Sequence, residues 1–203
     1  QVERIRHIGN RLLQLARPSR TASEVEEVDV NRLVENTLPL VRHVLKEKSI
    51  AVRRQLAATR AIRIVPSDLE EGLINLIINA SHAVPAGGMV ELSTDNWDPM
   101  GAVISVRDNG AGIAPEVLHR VFDPFFTTDP QRRTGLGLSV SYGLIRRYGG
   151  RITVESAPGR GSVFHVWLLR QPVFEAQDEN LNYSLGVATA PVEPAGREIR
   201  RQS

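Results

Sequence analysis

The chain is organised around two glycine clusters, which read Asp108-Asn109-Gly110-Ala111-Gly112-Ile113 and Thr134-Gly135-Leu136-Gly137-Leu138. Glycines at this spacing let the backbone turn with positive φ and approach a ligand closely, because no Cβ stands in the way. The second cluster runs into an apolar helical pattern, so its N–H groups lie at a helix N-terminus, where anions bind readily. The first cluster follows an apolar run and puts Asp108 at the end of a strand. The two clusters predict a nucleotide site in which Asp108 takes the base and the second cluster takes the phosphates.

The composition limits the class of protein. The 203 residues suffice for one domain with a full core and some accessory segments. A net charge of +2 does not argue for a nucleic-acid partner, and the lack of cysteine fits a reducing, cytoplasmic compartment. No apolar run approaches the ~20 residues of a membrane helix, and no signal peptide opens the chain. Because the chain begins with Gln1, we expect it to be a fragment of a larger protein.

The first 27 residues are predicted to form a helix and a linker. Residues 1–17 carry a narrow apolar stripe of the a/d type, Pro18 ends it, and residues 18–27 are polar. The stripe consists of Ile5, Ile8, Leu12 and Leu15. So short a seam is marginal alone, and we favour a helix of a bundle or dimer over a helix that lies on its own domain.

The next segment is predicted to hold a helix, two strands and a second helix. Residues 30–48 have a helical apolar face that Pro39 interrupts, which indicates a kink or a late start. Residues 50–56 and 62–65 are typical of two strands joined in a hairpin. Residues 67–70, Ser-Asp-Leu-Glu, form a capping box that opens an apolar helix. The buried face of that helix is expected to consist of Leu69, Leu73, Leu76, Ile77 and Ala80.

The second helix carries two asparagines. Asn75 and Asn79 are four residues apart and Glu71 lies four before Asn75, so all three share one side of the helix. An asparagine inside an apolar helix is unfavourable unless another group uses its amide. One alternative is that both amides cap neighbouring loops. Their position upstream of a glycine cluster favours a ligand site.

The second half of the chain alternates strands and helices. The predicted strands are 89–94, 102–107, 151–156 and 162–169, and the predicted helices are 115–121 and 137–148. The last two strands are joined by a hairpin turn, and Gly149 is expected to end the last helix in a left-handed C-cap. Residues 127–133 are predicted to be a mobile lid, and residues 171–203 a tail or linker. The sum is a two-layer α/β sandwich with a mixed sheet of about five or more strands against roughly three helices.

Four motifs occur in order along the chain. They are Asn75…Asn79, Asp108-x-Gly-x-Gly112, Phe122…Phe126 and Gly135-x-Gly137. They resemble the asparagine, first glycine, phenylalanine and second glycine boxes of sensor histidine kinases, whose ATP-binding domain is shared with gyrase, mismatch-repair and chaperone ATPases. The resemblance implies the Bergerat-type ATP-binding fold for residues 28–170. Residues 1–27 then resemble the second helix and linker of a dimerisation and phosphoacceptor module.

The resemblance also implies a role for each site residue. Asn79 resembles the ligand of the Mg²⁺ that bridges the phosphates of ATP, and Asp108 resembles the acceptor of the adenine amino group. The nucleotide-contacting set is completed by Asn75, Gly110, Gly112, Ile113, Phe122, Thr134, Gly135, Leu136, Gly137 and Leu138. Phe122, Phe125 and Phe126 are expected to anchor the lid on the core rather than to stack on the base.

Asn75 separates phosphoryl transfer from hydrolysis. It stands where the hydrolytic relatives carry a glutamate that activates water, and an amide cannot act as a general base. We therefore assign Asn75 and Asn79 to transfer of the phosphoryl group to a protein acceptor. Two departures from the family pattern remain. In the second glycine box Arg133 replaces a glycine, and Arg132 and Arg133 either contact phosphates or are solvated charges. After the asparagine box, His82-Ala83 replace a lysine-tyrosine pair.

The function that the resemblance implies is that of a two-component kinase. The domain would pass the γ-phosphate of ATP to a histidine helix of the same protein or its dimer partner, for relay to a response-regulator receiver domain. In the family, an acidic residue normally follows the phosphoacceptor histidine, and none follows His7. His7 is therefore not expected to be the acceptor, and the fragment is expected to bind nucleotide without autophosphorylating. The parent is expected to be a homodimer, cytoplasmic or anchored in an inner membrane. An ATP-gated conformational ATPase and a degenerate nucleotide-binding scaffold stay open as alternatives.

Overall fold

The computed structural model describes residues 24–129 and 134–173, and these form a two-layer α/β sandwich. The strands are β1 (Glu26–Val28), β2 (Ala51–Leu56), β3 (Ile62–Ile64), β4 (Met89–Trp97), β5 (Gly101–Asp108), β6 (Arg151–Ser156) and β7 (Ser162–Leu169). The helices are α1 (Val30–Glu47), α2 (Pro66–Ala83), α3 (Pro115–Leu118) and α4 (Gly137–Arg146). The two-layer architecture predicted from the sequence is confirmed. The predicted helix at residues 1–17, most of the lid and the tail beyond Val173 lie outside the described residues.

The main sheet has five strands in the order β2-β4-β5-β7-β6 and is mixed. β2 runs parallel to β4, and the other neighbours are antiparallel. The parallel pair requires a crossover, which α2 supplies. The core lies between one face of this sheet and the helices α1, α2 and α4.

The predicted hairpin between β2 and β3 is wrong. β3 pairs antiparallel with β1 in a separate two-stranded sheet, so Glu26 and Glu27, predicted as the end of a linker, form a strand together with Val28. The physical reason lies in the segment after β2. The N–H of Ala57 donates to the carbonyl of Thr94, and the N–H of Thr59 donates to Asn96 Oδ1 at 3.0 Å. These bonds hold the segment along β4, so it cannot turn back on β2.

Helix α1 starts at Val30, as predicted, so the late start given as an alternative to a kink at Pro39 is wrong. Asp29 caps it, because its Oδ1 accepts from the N–H groups of Asn31 and Arg32 at 2.8 and 3.2 Å. Pro39 lies inside the helix. The cap and the apolar face that packs on the core stabilise the helix on both sides of the proline. Buried side chains of this face are Val30, Leu33, Val34, Val41 and Leu45.

Helix α2 exists as predicted, and its inner face of Leu69, Leu73, Leu76, Ile77 and Ala80 is fully buried. The predicted capping box is wrong. The helix begins with Pro66 after Val65, which makes no side-chain cap, and a proline suits this position because its missing N–H has no partner in the helix. Asp68 is buried and accepts a hydrogen bond of 2.6 Å from the hydroxyl of Tyr148. Ser67 therefore lies inside the first turn rather than at the N-cap, and the Asp68 carboxylate serves the long-range packing of α4 on α2.

The end of α4 agrees with the predicted glycine cap. Gly149 has φ +73, and its N–H donates to the carbonyl of Arg146 at 2.9 Å. The helix stops two residues earlier than predicted, and α3 is also shorter than its predicted span. Val140, Leu144 and Ile145 of this helix are buried, whereas Leu138 is only partly buried.

Replacing Tyr148 by phenylalanine is expected to lower the free energy of unfolding by about 1.5–3 kcal/mol, because the buried Asp68 carboxylate loses a charged hydrogen bond. Arg147, at 3.7 Å from Asp68, compensates only in part. Urea denaturation measures the difference. Tyr142→Phe is the matched control, since the Tyr142 hydroxyl has no hydrogen-bond partner within the described residues. Equal stability of the two variants would contradict the assigned role of the Tyr148 hydroxyl.

Candidate nucleotide site

Asp108 ends β5 as a buried carboxylate. Its Oδ1 accepts from the N–H of Gly110 at 2.8 Å, and Ser162 on the neighbouring strand also donates to it. Burial raises the pKa of the Asp108 carboxyl above its ordinary value, and the hydrogen bonds from Gly110 and Ser162 offset part of that effect. The second oxygen, Oδ2, can accept from a ligand. The structure therefore provides a desolvated acceptor at the end of a central strand.

The first glycine cluster is wedged between α2 and the turn that joins β6 to β7. A Cβ on Gly110 would lie 2.4 Å from the carbonyl oxygen of Ala83, and a Cβ on Gly112 would lie 2.0 Å from that of Ala157. The N–H of Ala111 donates to the same Ala83 oxygen at 3.2 Å. Gly112 also has φ +71. Only glycine fits both positions, and the end of α2 is thereby fixed beside Asp108.

Two serines that were not predicted from the sequence hold this loop by hydrogen bonds. The N–H of Ile113 donates to Ser156 Oγ at 2.8 Å, and Ser156 Oγ lies 3.0 Å from Ser162 Oγ. Ser162 in turn contacts Asp108. The predicted hairpin of residues 151–169 makes Ser156 and Ser162 cross-strand partners, and this was the signal in the sequence that could have identified them.

The second glycine cluster forms the start of α4. Gly135 has φ +69, and a Cβ on it would lie 2.4 Å from the carbonyl carbon of Phe125. Leu136 is the N-cap, is fully buried and makes no side-chain cap. The first-turn N–H groups from Gly137 onward therefore lack a capping side chain and can serve an anion. Thr134 and Leu138 flank this turn and are half-buried.

The three phenylalanines behave differently from one another. Phe122 packs on the core as predicted, with ring centroids 5.1 Å from Tyr142 and 6.4 Å from Phe164. The prediction that Phe125 packs on the core is wrong, because its side chain is 58% exposed. Its backbone has φ +65 and lies against Gly135, so the main chain occupies the inner position and the ring points outward. Phe126 is half-buried under the guanidinium of Arg120 at 4.8 Å.

The paired amides lie on α2, between its buried face and the first glycine cluster. Asn75 is buried and Asn79 is half-buried, one turn before the Ala83 carbonyl that contacts Gly110. Neither amide side chain has a hydrogen-bond partner within residues 24–129 and 134–173. The alternative that they cap neighbouring loops is therefore not supported. With no partner among the described residues, both amides are available to bind a ligand.

Hydrogen bonds in the structure connect the elements that carry most of the predicted site residues. Ala83 joins the asparagine helix to the first glycine cluster, and the Ser141 hydroxyl donates to the Gly72 carbonyl at 3.1 Å, which joins α2 to α4 and its glycine cluster. Phe122 belongs to the core beneath α4. Arg132 and Arg133 lie outside the described residues, so their role stays open.

The chemistry of the donors fits a hard metal ion shared with a ligand. Among the residues that the structure describes, no group of three or more His, Cys, Asp or Glu side chains could hold a metal alone. Asn79 offers an amide oxygen without a partner, and an ion such as Mg²⁺ accepts one protein oxygen together with phosphate oxygens and waters. A metal at this site would therefore come with the nucleotide.

An α/β sandwich with a buried carboxylate, two crowded glycine loops and unpartnered amides defines a nucleotide-binding domain. Residues 64–172 match the family model described as histidine kinase-, DNA gyrase B-, and HSP90-like ATPase. The chain belongs to this family. Within the described residues, no helix is long and apolar enough to cross a membrane.

The relatives that match this chain include sensor histidine kinases. The sensor histidine kinase ZraS of Salmonella typhimurium is 33% identical over 180 residues, which is 88% of this chain and 37% of that protein. The catalytic domain of the histidine kinase ThkA superposes with a TM-score of 0.65 at 26% identity, covering 73% of this chain and 99% of the other. Full-length ShkA in complex with AMPPNP gives a TM-score of 0.72 at 26% identity, covering 82% and 36%. The chain thus spans about a third of the length of the curated kinases that it matches.

Proposed function

We propose that this chain is the catalytic ATP-binding domain of a two-component sensor histidine kinase. It binds ATP with Mg²⁺, and the γ-phosphoryl group passes to a histidine on a helix of the same protein or its dimer partner. A receiver-domain aspartate of a response regulator then accepts that group. The observation that carries the proposal is Asn75, an amide at a buried position beside the site, together with similarity to named histidine kinases.

Selection of adenine is assigned to Asp108. Because Oδ1 is engaged by the Gly110 N–H, Oδ2 is the acceptor for the exocyclic amino group of the base. Guanine carries a carbonyl at that position and would meet the carboxylate with an acceptor. Burial strengthens this discrimination, since neither the carboxylate nor the base carbonyl could form a compensating hydrogen bond with water.

Phosphate binding is assigned to the start of α4 and to Asn79. The first-turn N–H groups of α4 hold the phosphates, and the Asn79 amide oxygen holds Mg²⁺. When bound, Mg²⁺ neutralises charge on the phosphates during transfer. Asn75 provides no general base for water, so the γ-phosphoryl group leaves only to an acceptor that the protein positions.

The acceptor surface is assigned to the region of Phe125. Its ring is 58% exposed on a backbone held against Gly135, next to the second glycine cluster. Because the ring is exposed, it is available for contact with another protein segment. The helix that presents the histidine, and dimerisation of the parent, belong to this proposal, as does a cytoplasmic location where ATP is available.

The experiment that tests the proposal uses the parent protein and γ-labelled ATP. Label is expected on a histidine, and replacement of that histidine should abolish it. Label that survives replacement of every histidine upstream of this domain would overturn the mechanism. Two other readings have their own tests. A robust steady-state ATPase in the 203-residue chain would favour an ATP-gated machine, and failure to bind ATP with Mg²⁺ in calorimetry would favour a scaffold.

Replacing Asn79 by alanine is expected to remove the gain in ATP affinity that Mg²⁺ gives, while affinity without Mg²⁺ changes little. Phosphotransfer in the parent should fall by about two orders of magnitude or more, because the metal is no longer positioned. Titration calorimetry with and without Mg²⁺ measures the first effect. Asn36→Ala, on the exposed face of α1, is the matched control. An unchanged Mg²⁺ effect in Asn79→Ala would remove Asn79 from the metal site.

A further inference from the structure

The face of the main sheet that points away from the helices carries a cluster of two tryptophans, a histidine and an arginine. We call Trp97, Arg151, His165 and Trp167 the tryptophan cluster. The two indole rings meet edge to face with centroids 5.3 Å apart. The guanidinium carbon of Arg151 lies 5.3 Å from the Trp97 ring and 5.2 Å from the Trp167 ring. Along β7, Trp167 alternates with the buried Val166 and Leu168, which places the cluster on the opposite face from the core.

Arg151 is the cation of this cluster and has no counter-ion among the residues that the structure describes. Its Nε is buried without a hydrogen-bond partner, and no acidic side chain forms an ion pair with it within residues 24–129 and 134–173. Glu155 on the same strand lies 3.6 Å from Nε2 of His165 instead. The indole faces stabilise the guanidinium charge in part. A carboxylate from outside the described residues would complete the cluster.

The chain leaves the described structure beside this cluster. The N–H of Val173 donates to the carbonyl of Tyr148 at 3.2 Å, and a Cβ on Gly149 would lie 3.0 Å from Val173 Cβ and 3.2 Å from Leu169 Cδ1. Gly149 precedes Arg151 by only two residues. An extended chain advances about 3.3–3.6 Å per residue, so the residues directly after Val173 can reach Arg151.

The sequence that follows has the opposite charge. Residues 174–185 read Phe-Glu-Ala-Gln-Asp-Glu-Asn-Leu-Asn-Tyr-Ser-Leu, with three acidic residues, two aromatic residues and no lysine or arginine. Thirty residues of chain remain after Val173, which is more than enough to cover the cluster.

We propose that residues 174–185 dock on the tryptophan cluster, with Glu175, Asp178 and Glu179 as counter-ions of Arg151 and with Phe174 or Tyr183 against the indoles. Docking fixes the direction in which the chain leaves the domain, on the sheet face opposite the helix layer. The proposal does not depend on nucleotide binding, since none of the cluster residues belongs to the nucleotide site.

The two tryptophans of the cluster are the only two in the chain, so tryptophan fluorescence, excited selectively over tyrosine, reports on this surface alone. The test compares acrylamide quenching in the full 203-residue chain with the variant E175Q/D178N/E179Q. The quenching constant is expected to rise roughly two- to threefold in the variant, because the undocked segment no longer shields the indoles from acrylamide. All three acids are replaced together, since a single exposed ion pair contributes little. Salt at about 1 M should raise the wild-type constant to the same level, through screening.

E193Q is the matched control, because it neutralises a tail acid outside residues 174–185 and should leave quenching unchanged. A synthetic peptide of residues 174–185 should restore protection to the triple variant, and the same peptide with its three acids neutralised should not. Equal quenching constants in wild type and triple variant would overturn the proposal. A wild-type constant that falls with rising protein concentration would also overturn it, because a second copy of the chain would then cover the cluster.

Discussion

Replacing Asp108 by asparagine is expected to weaken ATP binding about 100-fold or more without destabilising the nucleotide-free domain. Asparagine keeps the Oδ1 acceptor that receives the Gly110 N–H, so the loop geometry survives. The other oxygen becomes an amide donor, which faces the donor amino group of adenine. A buried donor left opposite a donor costs about 2–4 kcal/mol, and each 1.4 kcal/mol is about tenfold in affinity. Titration calorimetry measures the loss.

The stability of the same variant depends on pH with a defined sign. Burial raises the pKa of the Asp108 carboxyl above its ordinary value of 3.8, so the folded state holds the proton more tightly than the unfolded chain. Ionisation therefore lowers the stability of the wild type as pH rises from 3.8 through the folded pKa. Asp108→Asn removes this penalty. Urea denaturation should show that the free energy of unfolding of the variant rises relative to that of the wild type as the pH increases above 3.8.

The matched control for Asp108→Asn is Asp95→Asn on β4. Asp95 is exposed, and its Oδ1 accepts from the Asn96 N–H at 2.7 Å, a bond that asparagine also makes. Neither ATP affinity nor stability should change in this control. A nucleotide with a carbonyl in place of the adenine amino group, such as ITP, should lose less affinity for Asp108→Asn than ATP does. Wild-type ATP affinity in Asp108→Asn would remove Asp108 from base recognition.

Replacing Gly161 by alanine is expected to lower the free energy of unfolding by about 3 kcal/mol or more and to abolish nucleotide binding. Gly161 has φ +74, which costs an L-residue about 1–2 kcal/mol. Its new Cβ would also lie 2.0 Å from the backbone oxygen of Asp108, and relief of that contact must move β5 or the turn. Both effects act at the residue that takes the base. Urea denaturation and calorimetry measure the two losses.

Gly159→Ala separates the two effects. Gly159 lies in the same turn at φ +75, and a Cβ added to it would have no other atom within 4 Å. The variant should therefore lose only about 1–2 kcal/mol, the cost of the left-handed conformation, and it should retain ATP binding. Equal losses in the two variants would mean that the approach of Gly161 to Asp108 contributes nothing beyond backbone conformation.

The elements that the sequence predicted well are those whose signal is local. The 3.6-residue period marked the inner face of α2 from Leu69 to Ala80, and Gly149 marked the end of α4 because few other residues adopt positive φ. The strands of residues 151–156 and 162–169 formed the predicted hairpin, since a short glycine-containing turn brings them side by side.

The errors concern choices between partners. A strand pattern does not say which neighbour a strand pairs with, so β2 and β3 were joined although β4 and β1 are their partners. Ser67 and Glu70 fit a capping box in their own segment, yet the helix begins earlier, at Pro66. The Asp68 carboxylate between them pairs with the Tyr148 hydroxyl, 80 residues away. Phe125 is hydrophobic and was predicted to be buried, but close packing of Gly135 on its backbone turns the ring outward.

The sequence by itself determined the chemistry of this protein: a carboxylate after a strand, two glycine loops, and two amides on one face of a helix. These follow from residue type and spacing, which act over one or two turns. Only the tertiary structure decided how they meet. The Ala83 carbonyl, the Asp108 backbone and the β6–β7 turn come within contact distance of three glycines, Gly110, Gly112 and Gly161. These close contacts depend on packing between segments that are far apart in the chain. The separation of two residues in the sequence does not say how close they lie in the folded domain.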